Sequence, residues 1–446
     1  MPVRVCDPWV HDRGAHYVIT VVTSISSLLL GIGTLLVGVG FLGTLLGVRA
    51  GIEGFSEQVT GLVMSAYFAG YILGTWACPS LIRRVGHIRA FTAMAAVASV
   101  CVTAHALWVH PVVWAALRVI SGACLVGLYI VIESWLNVLA PNQKRGKMLS
   151  VYMMTTLLAM AGGQYLILVA DPAAFMPFGI IAMLVSLGLV PVALTRVLQP
   201  QPVETPAVVG IGHLFRVSPL GVAGAFITGL VLSAFWGMGA VFAHGIGLDA
   251  AGIAAYMSAT ILGGAFLQWP VGHLSDRFDR RGVLTLFCFV AAGLSLAGWF
   301  LVDVSTVALL VASFFYGGVA FALYSLSVAH VNDHVSHAEV LEATRGLLLI
   351  YGVGAALGPA GAGLLMNMLG SRSLLAAIAG VLGLLGLFAL YRMGTSAPIP
   401  AAEQGEFVSL VRTTPEAVEL LPEAEVEPEL DLPKAPAASG DSRPAA

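Results

Sequence analysis

Two ionisable side chains, Arg118 and Glu133, stand inside one long apolar stretch, PVVWAALRVISGACLVGLYIVIESWLN (111–137). An ionisable group at mid-membrane depth costs roughly 2.5–3.5 kcal/mol on insertion scales, so each is expected to serve a purpose. A carboxyl in mostly apolar surroundings can be neutral or charged near physiological pH, which is what carrying a proton requires. Glu133 suits that chemistry, or a pairing with the Arg83–Arg84 pair or an arginine of the Lys144–Lys147 loop. Arg118 stays charged at any physiological pH and suits a binding role or helix packing. On a helix the two are about 22 Å apart and roughly 60° around the axis, so they cannot pair directly. His330 titrates in the same range and is the other proton-carrying candidate.

Membrane helices must hold these groups. Charged residues make up 10% of the 446-residue chain, against roughly 25% in soluble domains. Hydrophobic residues reach 58% and mean hydropathy is +0.91. The first apolar run, Tyr17 to Val48, exceeds the ~7–15-residue core of a signal peptide. Further runs lie near 58–82, 88–109, 112–140, 148–170, 174–195, 218–245, 250–275, 282–302, 304–332, 343–369 and 373–393. Each is long enough to cross a hydrocarbon layer of about 30 Å. The expected fold class is therefore an all-α membrane protein with twelve transmembrane helices.

Charge sets the topology. With both termini in the cytoplasm, the inner loops and helix ends collect Arg83, Arg84, Arg89, Lys144, Arg145, Lys147, Arg216, Arg277, Arg280, Arg281, Arg345 and Arg392. The outer loops keep only Arg49 and Arg372, beside Glu53, Glu57, Asp171, Asp249 and Asp303. That bias predicts an inner-membrane protein with both ends inside. The proline-containing segment 198–217 divides the helices six and six, after an N-terminal arm of residues 1–16. The halves are then 17–197 and 218–393, and residues 394–446 read as a disordered acidic tail.

The halves partly repeat. VMSAYFAGYILGTWACPSLIRR (63–84) aligns with YMSATILGGAFLQWPVGHLSDR (256–277), and GLYIVIESWLN (127–137) with ALYSLSVAHVN (322–332). Corresponding helices keep the same order and direction, so the halves are parallel repeats about an axis along the membrane normal. The repeat matches Tyr129 with Tyr324. With Asn137 and Gln268 they join Glu133, Arg118 and His330 as the expected proton and solute pathway.

At the end of the eighth run, QWPVGHLSDRFDRR (268–281), apolar character gives way to charge within four residues. Gly272 admits a close neighbour, and Asp276, one turn on, can accept backbone N–H groups or pair with an arginine. Gly272, Asp276, Arg277, Arg280 and Arg281, with Arg83 and Arg84, are the expected cytoplasmic gate. The eleventh run carries GVGAALGPAGAG, where Gly354, Gly358 and Pro359 offer a bending or sliding surface.

G-x-L-S-D-R-x-D-R-R resembles the cytosolic loop signature of the major facilitator superfamily, with Asp279 in place of its second glycine. Arg118-x-x-Ser121-Gly122 is similar to a fourth-helix signature of proton-coupled members, with Ser121 in place of glutamine. The G-x-x-x-G-P signature of the family's antiporters lies here on the eleventh helix instead of the fifth. SAYFAGYILGT, IVIESWLN, KRGKMLSVYMM and LQWPVGHLSDRFDRR together resemble its YcaD-type bacterial branch over residues 20–393. The resemblance implies two six-helix bundles around a central cavity that opens to each side in turn. The implied function is proton-coupled secondary transport of a small organic solute. An uncoupled facilitator, or a sensor signalling through the acidic tail, is the alternative.

No enzyme is expected, since H-E-x-x-H, G-x-S-x-G and the ATP-binding G-x-x-x-x-G-K-[ST] loop are absent from the sequence. Gly38, Gly40 and Gly43 spell G-x-G-x-x-G, but inside a membrane helix with no preceding strand. His330, Asn332, Asp333, His334 and His337 form a polar helix end without metal-ligand spacing. The five cysteines are odd in number and contain no C-x-x-C. No cofactor, metal or nucleic acid is expected, and a monomer in the lipid bilayer is.

Overall fold

The structure, a computed structural model, describes residues 9–139, 145–194, 210–336, 339–395, 404–405 and 407–408. Its first half contains α1 (Trp9–Ile52), α2 (Glu57–Val85), α3 (His87–Leu107), α4 (Pro111–Leu139), α5 (Arg145–Gly163) and α6 (Met176–Leu194). A 3-10 turn, Gln164–Leu168, continues α5. After the short α7 (Ile211–Val217) come α8 (Pro219–Gly245), α9 (Ala250–Arg277), α10 (Arg280–Leu301), α11 (Thr306–Ala320), α12 (Ala322–Asn332), α13 (Val340–Leu369) and α14 (Ser373–Thr395). Among the described residues, twelve segments are long and apolar enough to cross a membrane, with α11 and α12 forming one of them. The chain is an all-helical membrane protein, with no strand among the described residues. The first helix begins at Trp9, before the expected Tyr17, because no proline interrupts residues 9–52. Part of the expected linker is also helical, as α7.

The halves repeat in their packing as well as in their sequence. Within the first, α2 packs on α4, α1 on α5 and α6, and α3 on α4 and α6. The second makes the same set: α9 on α11, α8 on α13 and α14, and α10 on α11 and α14. Glycines explain the closest pair in each. A methyl at Gly70 would strike the Val119 carbonyl, and one at Gly122 the Tyr67 carbonyl. At the repeat-related positions Gly263 faces the Phe314 carbonyl and Gly317 the Thr260 carbonyl in the same way. Without side chains there, backbones approach and dispersion contacts replace the hydrophobic drive that lipid does not supply.

One end of the bundle carries Arg83, Arg84, Arg277, Arg280 and Arg281, and the far end carries Glu57, Asp249 and Asp303. The two far-end arginines are both neutralised, Arg49 by Glu53 at 2.6 Å and Arg372 by Asp303 at 2.5 Å. Hydrogen bonds from Arg372 hold the Asp303 carboxyl below its ordinary range. Helix starts at the far end are capped in the usual way, Ser56, Asp249 and Ser305 each accepting an N–H three residues on.

The halves meet through α2–α13, α5–α9 and α1–α8. Along α2–α13, Gly61 lies under the Pro359 carbonyl and Gly363 under the Glu57 carbonyl, neither with room for a methyl. Ser65 accepts the Ala360 N–H at 2.9 Å, and Ser371 donates to Glu57 at 2.5 Å. Ser258 of α9 donates to the Ala161 carbonyl of α5 at 2.7 Å. These approaches run from the far end to about mid-helix, where Ile72 meets Gly352.

Candidate functional site

Between the halves lies a pocket whose empty space, open mouth included, is about 430 Å³. Val39, Gly40, Gly43 and Thr44 of α1, Tyr67 and Phe68 of α2, Arg118 of α4 and Met160 of α5 form its first-half wall, facing Trp236, Gly237 and Met257. Arg118 is the only charged residue among them. Its guanidinium carbon sits 4.3 Å from the centre of the Tyr67 ring, a cation–π geometry that orients the charge. The wall is fixed from behind by Gln164, wholly buried. Gln164 accepts from Thr44 and donates to the Gly40 and Met160 carbonyls at 3.0 Å each. This amide ties α1 to the end of α5 and is a positioning residue that sequence reading passed over.

Glu133 is fully buried within the first half, outside that pocket. The Tyr152 hydroxyl of α5 donates to its Oε1 at 3.0 Å. Tyr129 and Tyr71 lie within electrostatic reach of the Tyr152 hydroxyl, and Tyr71 lies 6.3 Å from Tyr67, ring centre to ring centre. A series of phenols, Tyr67, Tyr71 and Tyr152, therefore runs from Arg118 to Glu133, two groups with no direct contact. The signal was present in the sequence, as a four-residue spacing in SAYFAGY and a tyrosine in KRGKMLSVYMM, but the neighbours of each were not. Tyr152→Phe should lower thermal stability, since removing one partner of a buried hydrogen bond costs about 1–3 kcal/mol. It should also depress gradient-driven uptake more than solute exchange, measured side by side in proteoliposomes.

Several expected pathway residues are placed elsewhere. Tyr129, expected on the cavity wall, is 1% exposed in the Glu133 cluster, and Tyr324 packs its ring 4.8 Å from that of Tyr351 in the second half. Neither lines the pocket described. Asn137 is half-buried near the end of α4. Gln268 is buried on α9, with its amide nitrogen lacking a partner among the described residues. His330 is buried at the arginine-rich end, its ring 4.6 Å from His334. No group of three metal-ligating side chains exists among the described residues, and His337 lies outside them.

Of the expected gate residues, Asp276, Arg280 and Arg281 form a compact cluster within the second half. Arg280, 1% exposed, donates to both oxygens of Asp333 at 2.7 and 2.6 Å, to the Ala329 carbonyl at 3.2 Å and to Ser275. Burial raises the Asp333 carboxyl above its ordinary range, while Arg280 and the Gly405 N–H pull it back. Asp276 lies 3.5 Å from Arg280 and Arg281 pairs with Asp279 at 3.1 Å. Arg83, Arg84 and Arg277 are exposed. The backbone N–H that Asp276 accepts does not come from a neighbouring helix, as expected, but from Phe407 of the tail, at 2.9 Å. Most of the tail expected to be disordered lies outside the described residues; within it, Gly405, Phe407 and Val408 contact the helices. The eleventh-run glycines divide their work: Gly354 and Gly358 seat α13 on α8, whereas the Pro359 carbonyl faces Gly61.

The Major Facilitator Superfamily family model matches residues 21–341 and 222–417. The chain is 29% identical over 361 residues to the uncharacterized MFS-type transporter YcaD of Escherichia coli O7:K1, covering 81% of this chain and 93% of that one. It is equally similar, over 362 residues, to YcaD of Shigella flexneri serotype 5b. Among solved structures, a mutant of the nucleoside transporter NupG superposes with TM-score 0.69 at 14% identity, covering 83% of this chain and 100% of that one. A bacterial homolog of the human lysosomal transporter Spinster, in an inward-facing and occupied conformation, gives 0.68 at 15% identity, covering 86% and 98%. With twelve apolar spans and these relatives, the protein is a multi-pass transporter of the bacterial inner membrane, and it belongs to the Major Facilitator Superfamily.

Proposed function

We propose that the chain is a proton-coupled secondary transporter of a small organic solute bearing a negative charge, working by alternating access with the arginine-rich end in the cytoplasm. The observation that carries this reading is the separation of two buried charged residues of α4, Arg118 and Glu133. Arg118 fronts the pocket between the halves, while Glu133, fifteen residues along the same helix, is fully buried outside it and bonded by Tyr152. An arginine among Tyr67, Phe68, Trp236 and Met257 suits an anion with an apolar or aromatic body, because the rings take the body and the guanidinium takes the charge. A carboxyl outside the pocket can exchange a proton without being displaced by solute. The excess of arginine at one end supports its cytoplasmic placement. The side-chain contacts joining the halves at the far end support a cleft open toward the arginines in this conformation.

Binding to detergent-purified protein tests the charge. Benzoate or phenylacetate should raise the melting temperature, since a ligand that binds only the folded state stabilises it by mass action. Benzylamine and benzyl alcohol should not. Arg118→Met should weaken the anion's binding by roughly 10–100-fold, the worth of one charge-assisted hydrogen-bond pair. Equal shifts from all three probe types would refute the anion assignment.

A further inference from the structure

The best-defined part of the acidic tail lies across the expected gate. Gly405 has both backbone groups held by one ion pair: its N–H donates to Asp333 at 3.0 Å, and its carbonyl accepts from Arg280 at 2.6 Å. Two residues on, the Phe407 N–H donates to Asp276. Gly405 and Phe407 thus lie over the ends of α9, α10 and α12. The Phe407 ring fills the notch above Gly272, where a Cβ would lie 2.5 Å from its edge. Phe407 and Val408 are both packed against the helical core.

The place it occupies is one the helices need. Ser258 marks the face of α9 that touches α5, the first half's partner helix, at the far end. Asp276 is eighteen residues further along, five whole turns, so it lies on that same face about 27 Å away. Gly272 is one turn earlier and roughly 40° aside. The surface that α9 presents toward the first half is thus met by α5 at the far end and by Gly405 and Phe407 at the arginine-rich end.

We infer that Gly405, Phe407 and Val408 act as a strap that docks in the Gly272–Asp276–Arg280–Asp333 notch only while the cleft is open at the arginine-rich end, and must leave before the halves close there. The strap therefore holds the open state and sets how readily the protein closes. The inference rests on the alternating-access reading, because it assigns the notch to the closing surface. Its recognition chemistry is an aromatic side chain over a glycine, with two carboxylates accepting backbone N–H groups spaced two residues apart.

The test uses the full chain in nanodiscs, with nitroxide labels at exposed Ser150 on α5 and Phe278 beyond α9, and pulsed dipolar distance measurement across the cleft. Phe407→Ala removes the ring from the notch. Gly405→Pro removes the N–H that Asp333 accepts and keeps the charges. Each should raise the short-distance, closed population about ten-fold, the shift expected for losing one buried aromatic or one buried hydrogen bond. Solute exchange is measured in parallel on unlabelled protein. A shift in distance with faster exchange supports the strap. A shift in distance with no transport by any form upholds the strap and sinks the transport reading. Distance distributions that match the native chain in both variants overturn the strap whatever the flux.

Discussion

Glu133→Gln should abolish gradient-driven accumulation of solute while leaving exchange of solute for solute intact. Coupling to a proton gradient requires a group that changes charge within the membrane, and Arg118 cannot. Glu133 is fully buried, and Tyr152 donates to it, an uncharged donor that tolerates either protonation state of the acid. Glutamine keeps the volume and can still accept that hydrogen bond, so the helix packing should persist. It fixes the neutral form, and with it whichever opening the neutral form favours. One pH unit of gradient is worth about 1.4 kcal/mol per proton, which would support roughly ten-fold accumulation for one-to-one coupling. That factor should fall to about one in the mutant, and the pH dependence of binding should disappear with it. Undiminished accumulation would move the proton to His330, and a native chain that equilibrates solute without accumulating it would be a facilitator. The setting of His330, against His334 and next to the Ala329 carbonyl that Arg280 holds, ties it to the arginine-rich end and not to the pocket.

The second large effect is expected from Gly61→Val. Gly61 of α2 sits beneath the Pro359 carbonyl of α13 and against Gly363, in the seam where the halves meet at the far end. A branched side chain has nowhere to go there, and overpacking costs typically about 1–3 kcal/mol. In alternating access that cost applies only to the state in which the seam is shut, so folding should survive. The equilibrium should instead move roughly 5–150-fold toward opening at the far end. Cysteine labelling beside the far-end cleft should rise, labelling from the arginine-rich end should fall, and net transport should slow. Unaltered labelling at both ends would show that the seam is static packing. Gly70, buried in the same helix but facing Val119 within the first half, provides the contrast, since its contact persists in both states.

Much of this was legible in the sequence. Run lengths, the arginine bias and the internal alignment were enough for twelve spans and a six-plus-six repeat, because crossing lipid leaves a helix as nearly the only option for an apolar segment. Glu133 and Arg118 stood out because ionisable residues are conspicuous against Leu, Val and Ile. Which way each one points was not legible. The fourth span is apolar all round, so periodicity sets no rotation for it; Gly70 and Gly122 do, by fixing how α4 lies on α2.

That packing turns Arg118 toward the other half and Glu133 toward Tyr152. Only the tertiary structure could also bring Tyr67, Tyr71 and Tyr152 from two helices into one series, or show that Tyr129 and Tyr324 lie away from the pocket. The tail illustrates the same limit. By composition, Gln404 to Val408 is part of a polar, acidic segment with too little apolar surface to fold by itself. Gly405 and Phe407 are held by partners 72 to 131 residues away in sequence, a glycine notch rimmed by Asp276, Asp333 and Arg280, and local sequence carries no record of contacts made at that separation.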